Sequence, residues 1–209
     1  MGTFFICPRC GNSDHRYIGH IGGKPYCRYC ITLNGKEVDE APSMSPLDVE
    51  VAIDYPLSED QNRISAGVLK TYQEVLNCLI HAVCGAGKTE LVFAVIRHAL
   101  SLGQTVGFAI PRRDVVIELH KRLISAFPMV KVNAVYGAHH CELDGDIIIL
   151  TTHQLFRYPH YFDLLILDEI DAFPYKDNPL LHTMFLRSVR GHYILLSATP
   201  DQKTMTEIS

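Results

Sequence analysis

The stretch that most constrains the fold is Ala82-Val83-Cys84-Gly85-Ala86-Gly87-Lys88-Thr89. It follows the apolar run Leu79-Ile80-His81-Ala82-Val83 and opens an amphipathic run from Leu91 to Leu100. A strand, a glycine loop and a helix in that order let backbone N–H groups curl inward around an anion. The helix start brings the positive end of its dipole to the same point. Cys84, Gly85, Ala86 and Gly87 supply such a cradle. The Lys88 ammonium then reaches the β- and γ-phosphates of a nucleotide, and the Thr89 hydroxyl ligates Mg²⁺. One departure is Ala82, which stands where the first glycine of the pattern usually stands. A chance glycine-rich turn is the other reading, and the flanking strand and helix argue against it.

At 209 residues and 47% apolar composition the chain has room for one medium domain plus a small module. It contains no run of 18 apolar residues, so no membrane span is expected. The start, Met1 to Pro8, lacks the basic-then-apolar layout of a signal. Seven cysteines in such a chain point to the cytosol, where thiols bind metal or sit in cores. The net charge of −4 is unevenly spread. Residues 1–30 carry Arg9, Arg16, Lys24 and Arg28 against Asp14, residues 35–60 carry Lys36 against eight acids, and residues 61–209 balance. No overall basic footprint for nucleic acid is present, so any such contact rests on local patches.

Cys7-Pro8-Arg9-Cys10 and Cys27-Arg28-Tyr29-Cys30 are two Cys-x-x-Cys pairs, sixteen residues apart. The spacing is that of a four-cysteine structural zinc site, with Gly11 giving the first turn its permissive backbone. Thirty residues build no self-sufficient core, so the metal would supply folding energy. Two disulfides or an iron–sulfur cluster are the alternatives. His15 and His20 lie between the pairs and compete as ligands or are merely exposed. Arg9, Arg16, Lys24, Arg28, Tyr17, Tyr26 and Tyr29 make either a nucleic-acid or partner surface, or an ordinary solvated face over a tiny core.

Residues 31–56 read as an extended acidic connector, with a short strand at Val49-Glu50-Val51-Ala52-Ile53. Ser58 and Gln61 have the spacing of a capping box before a helix. Gln61 is read either as that cap or as the amide that recognises an adenine edge. Beyond the glycine loop, Thr105–Ile110 reads as a buried strand, and Pro111-Arg112-Arg113-Asp114 leads into a helix from Val115 to Leu123. Two arginines at a helix start suit a nucleic-acid backbone, or are simply solvated. Val130–Val135 is a further strand. His139, His140 and Cys141 follow it, read as a surface loop in preference to a second metal site. Asp146–Leu150 is the next strand, and Thr151 and Thr152 open a helix, either as sugar–phosphate contacts or as an ordinary cap.

Phe162-Asp163-Leu164-Leu165-Ile166-Leu167-Asp168-Glu169-Ile170-Asp171 delivers carboxylates to the C-terminal end of an apolar strand, where parallel sheets bind ligands. Asp168 is suited to hold Mg²⁺, Glu169 to orient and deprotonate an attacking water, and Asp171 to couple the site to a neighbouring element. The last strand, His192 to Leu196, exits through Ser197-Ala198-Thr199-Pro200, whose hydroxyls would meet the carboxylates.

In this order, Gln61, Gly85-Ala86-Gly87-Lys88-Thr89, Pro111-Arg112-Arg113, Thr151-Thr152-His153-Gln154-Leu155, Asp168-Glu169-Ile170-Asp171 and Ser197-Ala198-Thr199 resemble the first RecA-like domain of superfamily 2 helicases of the DEAD/DEAH type. The four-cysteine ribbon with Tyr26-Cys27-Arg28-Tyr29-Cys30, joined to Asp168-Glu169-Ile170-Asp171-Ala172-Phe173-Pro174-Tyr175, is similar to the ComFA family of late-competence ATPases of Gram-positive bacteria, implicated in pulling single-stranded DNA into the cell. The resemblance implies an α/β fold: a RecA-like P-loop domain with a mainly parallel sheet flanked by helices (57–209), behind a small four-cysteine zinc-binding module (1–34) and an acidic linker (35–56). It implies ATP, Mg²⁺ and structural Zn²⁺, with Gln61 at adenine, Lys88 and Thr89 on phosphate and Mg²⁺, and Asp168 and Glu169 in hydrolysis. It also implies DNA contacts near Arg112, Arg113, Thr151 and Thr152, and coupling through Asp171, Ser197 and Thr199. Single-stranded DNA, and other competence proteins at the uptake channel, are the implied partners, in the cytoplasm or at the inner face of the membrane. The sequence ends at Ser209, just past Ser-Ala-Thr-Pro, so the second RecA-like domain and its arginines are expected to be absent. Such arginines are worth roughly 10³–10⁵ in rate, so the chain is expected to bind nucleotide and hydrolyse it weakly. Another zinc-containing helicase of replication restart or repair, and an ATP-gated protein-docking module, are the competing readings.

Overall fold

The structure is a computed structural model and describes residues 5–31, 33, 35–38, 40–53, 55–82, 87–137 and 142–200. The first pair of strands, β1 (Ile18–Ile21) and β2 (Lys24–Cys27), forms an antiparallel hairpin. Its two-residue loop is Gly22-Gly23, with φ of +57° and +78°. A tight hairpin turn needs left-handed backbone at both places, which glycine adopts without strain.

Helix α1 (Glu59–Gln73) begins at a complete capping box: the Ser58 hydroxyl accepts from the Gln61 N–H, and the Gln61 side chain accepts from the Ser58 N–H. Strand β3 (Cys78–His81) leads into the glycine loop. The helix beyond it is one short turn, α2 (Lys88–Leu91), a break at Val92, and α3 (Phe93–Ser101). There follow β4 (Val106–Ile110), α4 (Arg113–Ala126), β5 (Val132–Val135), β6 (Ile147–Thr151) and β7 (Phe162–Leu167). After β6 the expected helix is a 3-10 turn, Thr152–Arg157. Helix α5 (Pro179–Ser188) has Asn178 as its cap, accepting from the Leu181 N–H, and proline at its first position. Strand β8 (Val189–Ser197) closes the fold.

Six strands form one sheet in the order β3-β8-β7-β4-β6-β5, parallel throughout. Side chains alternate between its faces, and both faces are covered. Phe108, Ile110, Ile147, Ile149, Leu164 and Ile166 join one core with α1 to α4. Ala109, Ile148, Leu150, Leu165 and Leu167 join a second with the 3-10 turn, α5 and the four cysteines of the ribbon.

The short strand expected at Val49–Ile53 does not form. The Leu47 N–H donates to the Leu100 carbonyl and the Ala52 N–H to the Ala126 carbonyl, at the ends of α3 and α4. The segment therefore lies across helix ends rather than along a strand edge. Val49 is buried, and Leu47, Val51 and Ile53 pack on the first core.

Candidate functional site

Because the strands are parallel, the ends of β3, β4, β6, β7 and β8 share one rim, where ligands bind in open α/β sheets. Gly87, with φ +68°, caps α2 and delivers Lys88 and Thr89 to that rim. From β7, the Asp168 N–H donates to the Ala109 carbonyl of β4 at 3.0 Å. The Lys88 Nζ lies 3.8 Å from Asp168 Oδ1, with both side chains largely buried. Asp168 Oδ1 also accepts from the Glu169 N–H at 2.8 Å. Glu169 has a φ of +56°, a left-handed backbone that costs a non-glycine residue about 1 kcal/mol or more and concentrates at functional sites.

Burial raises the Asp168 carboxyl, and the Lys88 charge only partly offsets this. Burial also raises Glu169, and the neighbouring Asp168 charge adds to it. Two carboxylates poised above their ordinary range suit a cation site and a general base. The Thr89 hydroxyl and the Asp168 carboxylate are hard oxygen donors at the same rim, so the residues present fit Mg²⁺.

The Asp171 Oδ2 accepts from both the N–H, at 3.1 Å, and the hydroxyl of Thr199. The Thr199 N–H is shared with Ser197 Oγ at 3.1 Å. Burial would raise the Asp171 carboxyl, and the Thr199 hydrogen bonds prevail and hold it low. The Ala82 N–H donates to the Ser197 carbonyl, and His81 Nε2 lies 3.0 Å from the Ala198 carbonyl. The carboxylate strand, the exit of β8 and the root of the glycine loop are thus one bonded unit.

Gln61 is a cap and also a neighbour of the loop: a Cβ on Gly87 would stand 2.7 Å from its Nε2. Cys84, Gly85 and Ala86, and the His139-His140-Cys141 stretch, lie outside the described residues. Arg112 is exposed, and its guanidinium is engaged by Asp114 two residues on. Arg113 stacks over the Tyr136 ring at 5.0 Å. Thr151 ends β6 and is mostly buried. Thr152 is fully buried, which corrects the expectation that its hydroxyl faces a DNA backbone: the tight 3-10 turn draws its side chain inward.

The four cysteine sulfurs all lie within 4.8 Å of one another. Cys7 Sγ to Cys30 Sγ and Cys10 Sγ to Cys27 Sγ are each 3.7 Å. A disulfide needs about 2.05 Å, so the disulfide alternative fails. Thiolates about 2.3 Å from one tetrahedral ion stand about 3.8 Å apart, so the donor set fits a single metal ion. Burial pushes the Cys10 thiol up to about 12, so a bound cation must displace its proton. The Asn12 amide donates to Cys27 Sγ at 3.7 Å and supports that sulfur.

Sequence reasoning missed how this ribbon is held. Arg9 donates to Glu37 Oε1 at 2.9 Å and to the Leu33 carbonyl at 2.7 Å. Glu37 Oε2 accepts from Arg187 of α5 at 3.0 Å. Phe156 receives the guanidinium of Arg9 at 5.5 Å and that of Arg157 at 4.9 Å. The buried Arg157 donates to the Lys36 carbonyl, and its own carbonyl accepts from the Val38 N–H. Of the seven ribbon residues read as a possible surface, five are used within the protein. Arg9 docks, Arg16 pairs with Asp14, Tyr26 covers Gly19, and the Tyr17 and Tyr29 rings pack 5.2 Å apart. No local signal distinguishes a docking arginine from a solvated one.

No described helix is long and apolar enough to cross a membrane. The family described as DEAD/DEAH box helicase matches residues 60–208. A protein named Competence protein ComFA from Bacillus subtilis is 37% identical over 95% of this chain and 46% of its own length. Its namesake from Streptococcus pneumoniae is 34% identical over 93% of the chain and 46% of its own length. Replication restart protein PriA of Rickettsia prowazekii is 30% identical over 62% of the chain and 23% of its own length. The chain spans about half the length of the ComFA relatives it matches. In fold, it is similar to a Sulfolobus solfataricus SWI2/SNF2 ATPase core solved with dsDNA, at a TM-score of 0.59 and 16% identity, over 76% of this chain and 34% of that one. With a parallel sheet, a glycine-loop lysine facing paired carboxylates and a family match across the whole sheet domain, the chain belongs to the DEAD/DEAH box helicases.

Proposed function

We propose that this chain is the ATP-binding half of an ATP-dependent single-stranded-DNA translocase that drives DNA uptake in natural competence. The observation that carries the ATPase part is the convergence of Lys88 and Asp168, 3.8 Å apart, with Glu169 beside them on the ligand-binding rim. The similarity to two proteins named for competence, across both ribbon and sheet domain, supports the uptake role.

In this reading Lys88 neutralises the β- and γ-phosphates, and Thr89 and Asp168 hold Mg²⁺. Bound Mg²⁺ supplies charge neutralisation at the phosphates. Glu169 accepts the proton of the attacking water through its carboxylate. Asp171 passes closure to Ser197 and Thr199. Gln61 recognises adenine, and the Arg112, Arg113 and Thr151 edge meets the DNA backbone. Zinc holds the ribbon (1–34), and the connector (35–56) joins it to the nucleotide domain (57–209). The cytoplasmic face of the membrane, beside other competence proteins, is the proposed place of action.

The test is single-stranded-DNA binding and DNA-stimulated ATP turnover by the purified chain, at two salt concentrations, beside Glu169→Gln. Mg²⁺-ATP binding, DNA affinity that falls with salt, and weak turnover abolished by Glu169→Gln are expected. Turnover unaffected by Glu169→Gln refutes the site. The PriA similarity favours one second reading, a replication-restart helicase. A repair defect in place of an uptake defect on gene deletion would select it.

A further inference from the structure

Glu90 directly follows Thr89 on the one-turn helix α2, and it is only 4% exposed. Its Oε1 accepts from the Tyr55 hydroxyl at 2.7 Å and from the Arg122 guanidinium. Those partners come from the connector and from α4. Its Oε2 is buried and has no hydrogen-bond partner among the described residues. That oxygen lies on the Gly87 side, since a Cβ on Gly87 would stand 3.2 Å from it. On the other side, Tyr55, Glu90, Arg122, Phe93 and Ser125 line a cavity of about 130 Å³.

A buried carboxylate is costly, and a well-packed apolar residue is often as stable in its place. Its ion pair with the Arg122 guanidinium and its hydrogen bond from the Tyr55 hydroxyl are the partners of a carboxylate. An anion two residues from Lys88 repels phosphate unless it is neutralised. Arg122 is the described cation that pairs with it.

We infer that Glu90 is a positioning residue for phosphate binding: neutralised by Arg122 and anchored to the connector through Tyr55, it holds the turn that presents Lys88 and Thr89. The connector thereby braces, from behind, the turn that carries Lys88 and Thr89. The inference rests on the nucleotide reading above.

The test is Mg²⁺-ATP affinity by calorimetry, together with the nucleotide-free melting temperature, for the parent chain, Glu90→Gln, Arg122→Gln, Tyr55→Phe and the double variant Glu90→Gln/Arg122→Gln. Glu90→Gln is expected to weaken binding roughly tenfold, as loss of hydrogen bonds to a charged group does. Arg122→Gln is expected to weaken it more, because it leaves the anion unneutralised. The double variant is expected to recover to the level of Glu90→Gln alone, with affinity losses in the single variants that persist at temperatures well below their nucleotide-free melting temperatures. Tyr55→Phe, at an exposed position, is expected to weaken binding about threefold with the fold intact. Parent-like affinity in Glu90→Gln and Arg122→Gln, or additive losses in the double variant, overturns the inference. A parent chain that binds no Mg²⁺-ATP refutes the nucleotide reading itself, and this inference with it.

Discussion

Replacing Phe156 with alanine should loosen the ribbon from the sheet domain. Phe156 is 2% exposed, near the end of the 3-10 turn, and its ring has the guanidinium groups of Arg9 and Arg157 within 5.5 Å and 4.9 Å of its centre. Removing a fully buried phenylalanine costs about 3–5 kcal/mol in transfer and cavity terms. Two partly shielded cation–π contacts add about 1 kcal/mol. For a chain of this size each kcal/mol lowers the melting temperature by about 2–4 °C, so a fall of about 10–20 °C is expected. Circular dichroism melting measures it, and metal release to a colorimetric chelator should quicken in parallel, because the loosened knuckle carries Cys7 and Cys10. Phe156→Leu keeps most of the volume and loses the ring faces, so a fall of about 5 °C is expected. A Phe156→Ala protein that melts within about 2 °C of the parent and releases metal at the parent rate would refute this account of how the ribbon is held.

Other tests address the site and its supports. Gly87→Ala forces a side chain onto a φ of +68° and against the Gln61 amide, so nucleotide affinity should fall with a stability loss of about 1 kcal/mol. Lys88→Ala should abolish Mg²⁺-ATP binding in equilibrium dialysis without altering the far-ultraviolet spectrum. Burial would raise the Asp163 carboxyl, but Arg190 and Thr105 hold it below the usual range. A depressed folded value means stability that is complete above about pH 4 and lost as pH falls through the folded value. Asp163→Asn should therefore flatten the acid limb of the stability curve, as read by urea unfolding between about pH 2 and 6. Stripping metal with a chelator from protein first loaded with Zn²⁺ should melt the hairpin and leave the parallel sheet intact, with amide exchange rising in residues 7–30 and unchanged in β4, β6 and β7.

How much of this was legible depended on sequence distance. The phosphate loop, the Asp168-Glu169 pair at a strand end and the two Cys-x-x-Cys pairs are local arrangements. Their chemistry needs particular residue types at short spacing, so the chain itself displays them. The buried strands were legible too, because a parallel strand covered on both faces is a continuous apolar run. The Gly22-Gly23 turn and the Asn178-Pro179 helix start are local signals of the same kind.

The tertiary structure alone decided which polar residues are spent inside the protein. Arg9, Glu37 and Arg187 form one bridge across positions far apart in sequence, and nothing in their neighbours marks them. Thr151 and Thr152 look like an exposed helix start in the chain, yet both are buried, one at the end of β6 and one in the 3-10 turn. The acidic connector reads as an extended linker because of its three prolines and its excess of acids. Only packing shows that Val49 and its apolar neighbours lie on the core, and that Tyr55 meets Glu90. Local spacing specifies chemistry through bonded geometry, whereas the cost of burying charge is settled only when distant segments meet and each ion finds its partner.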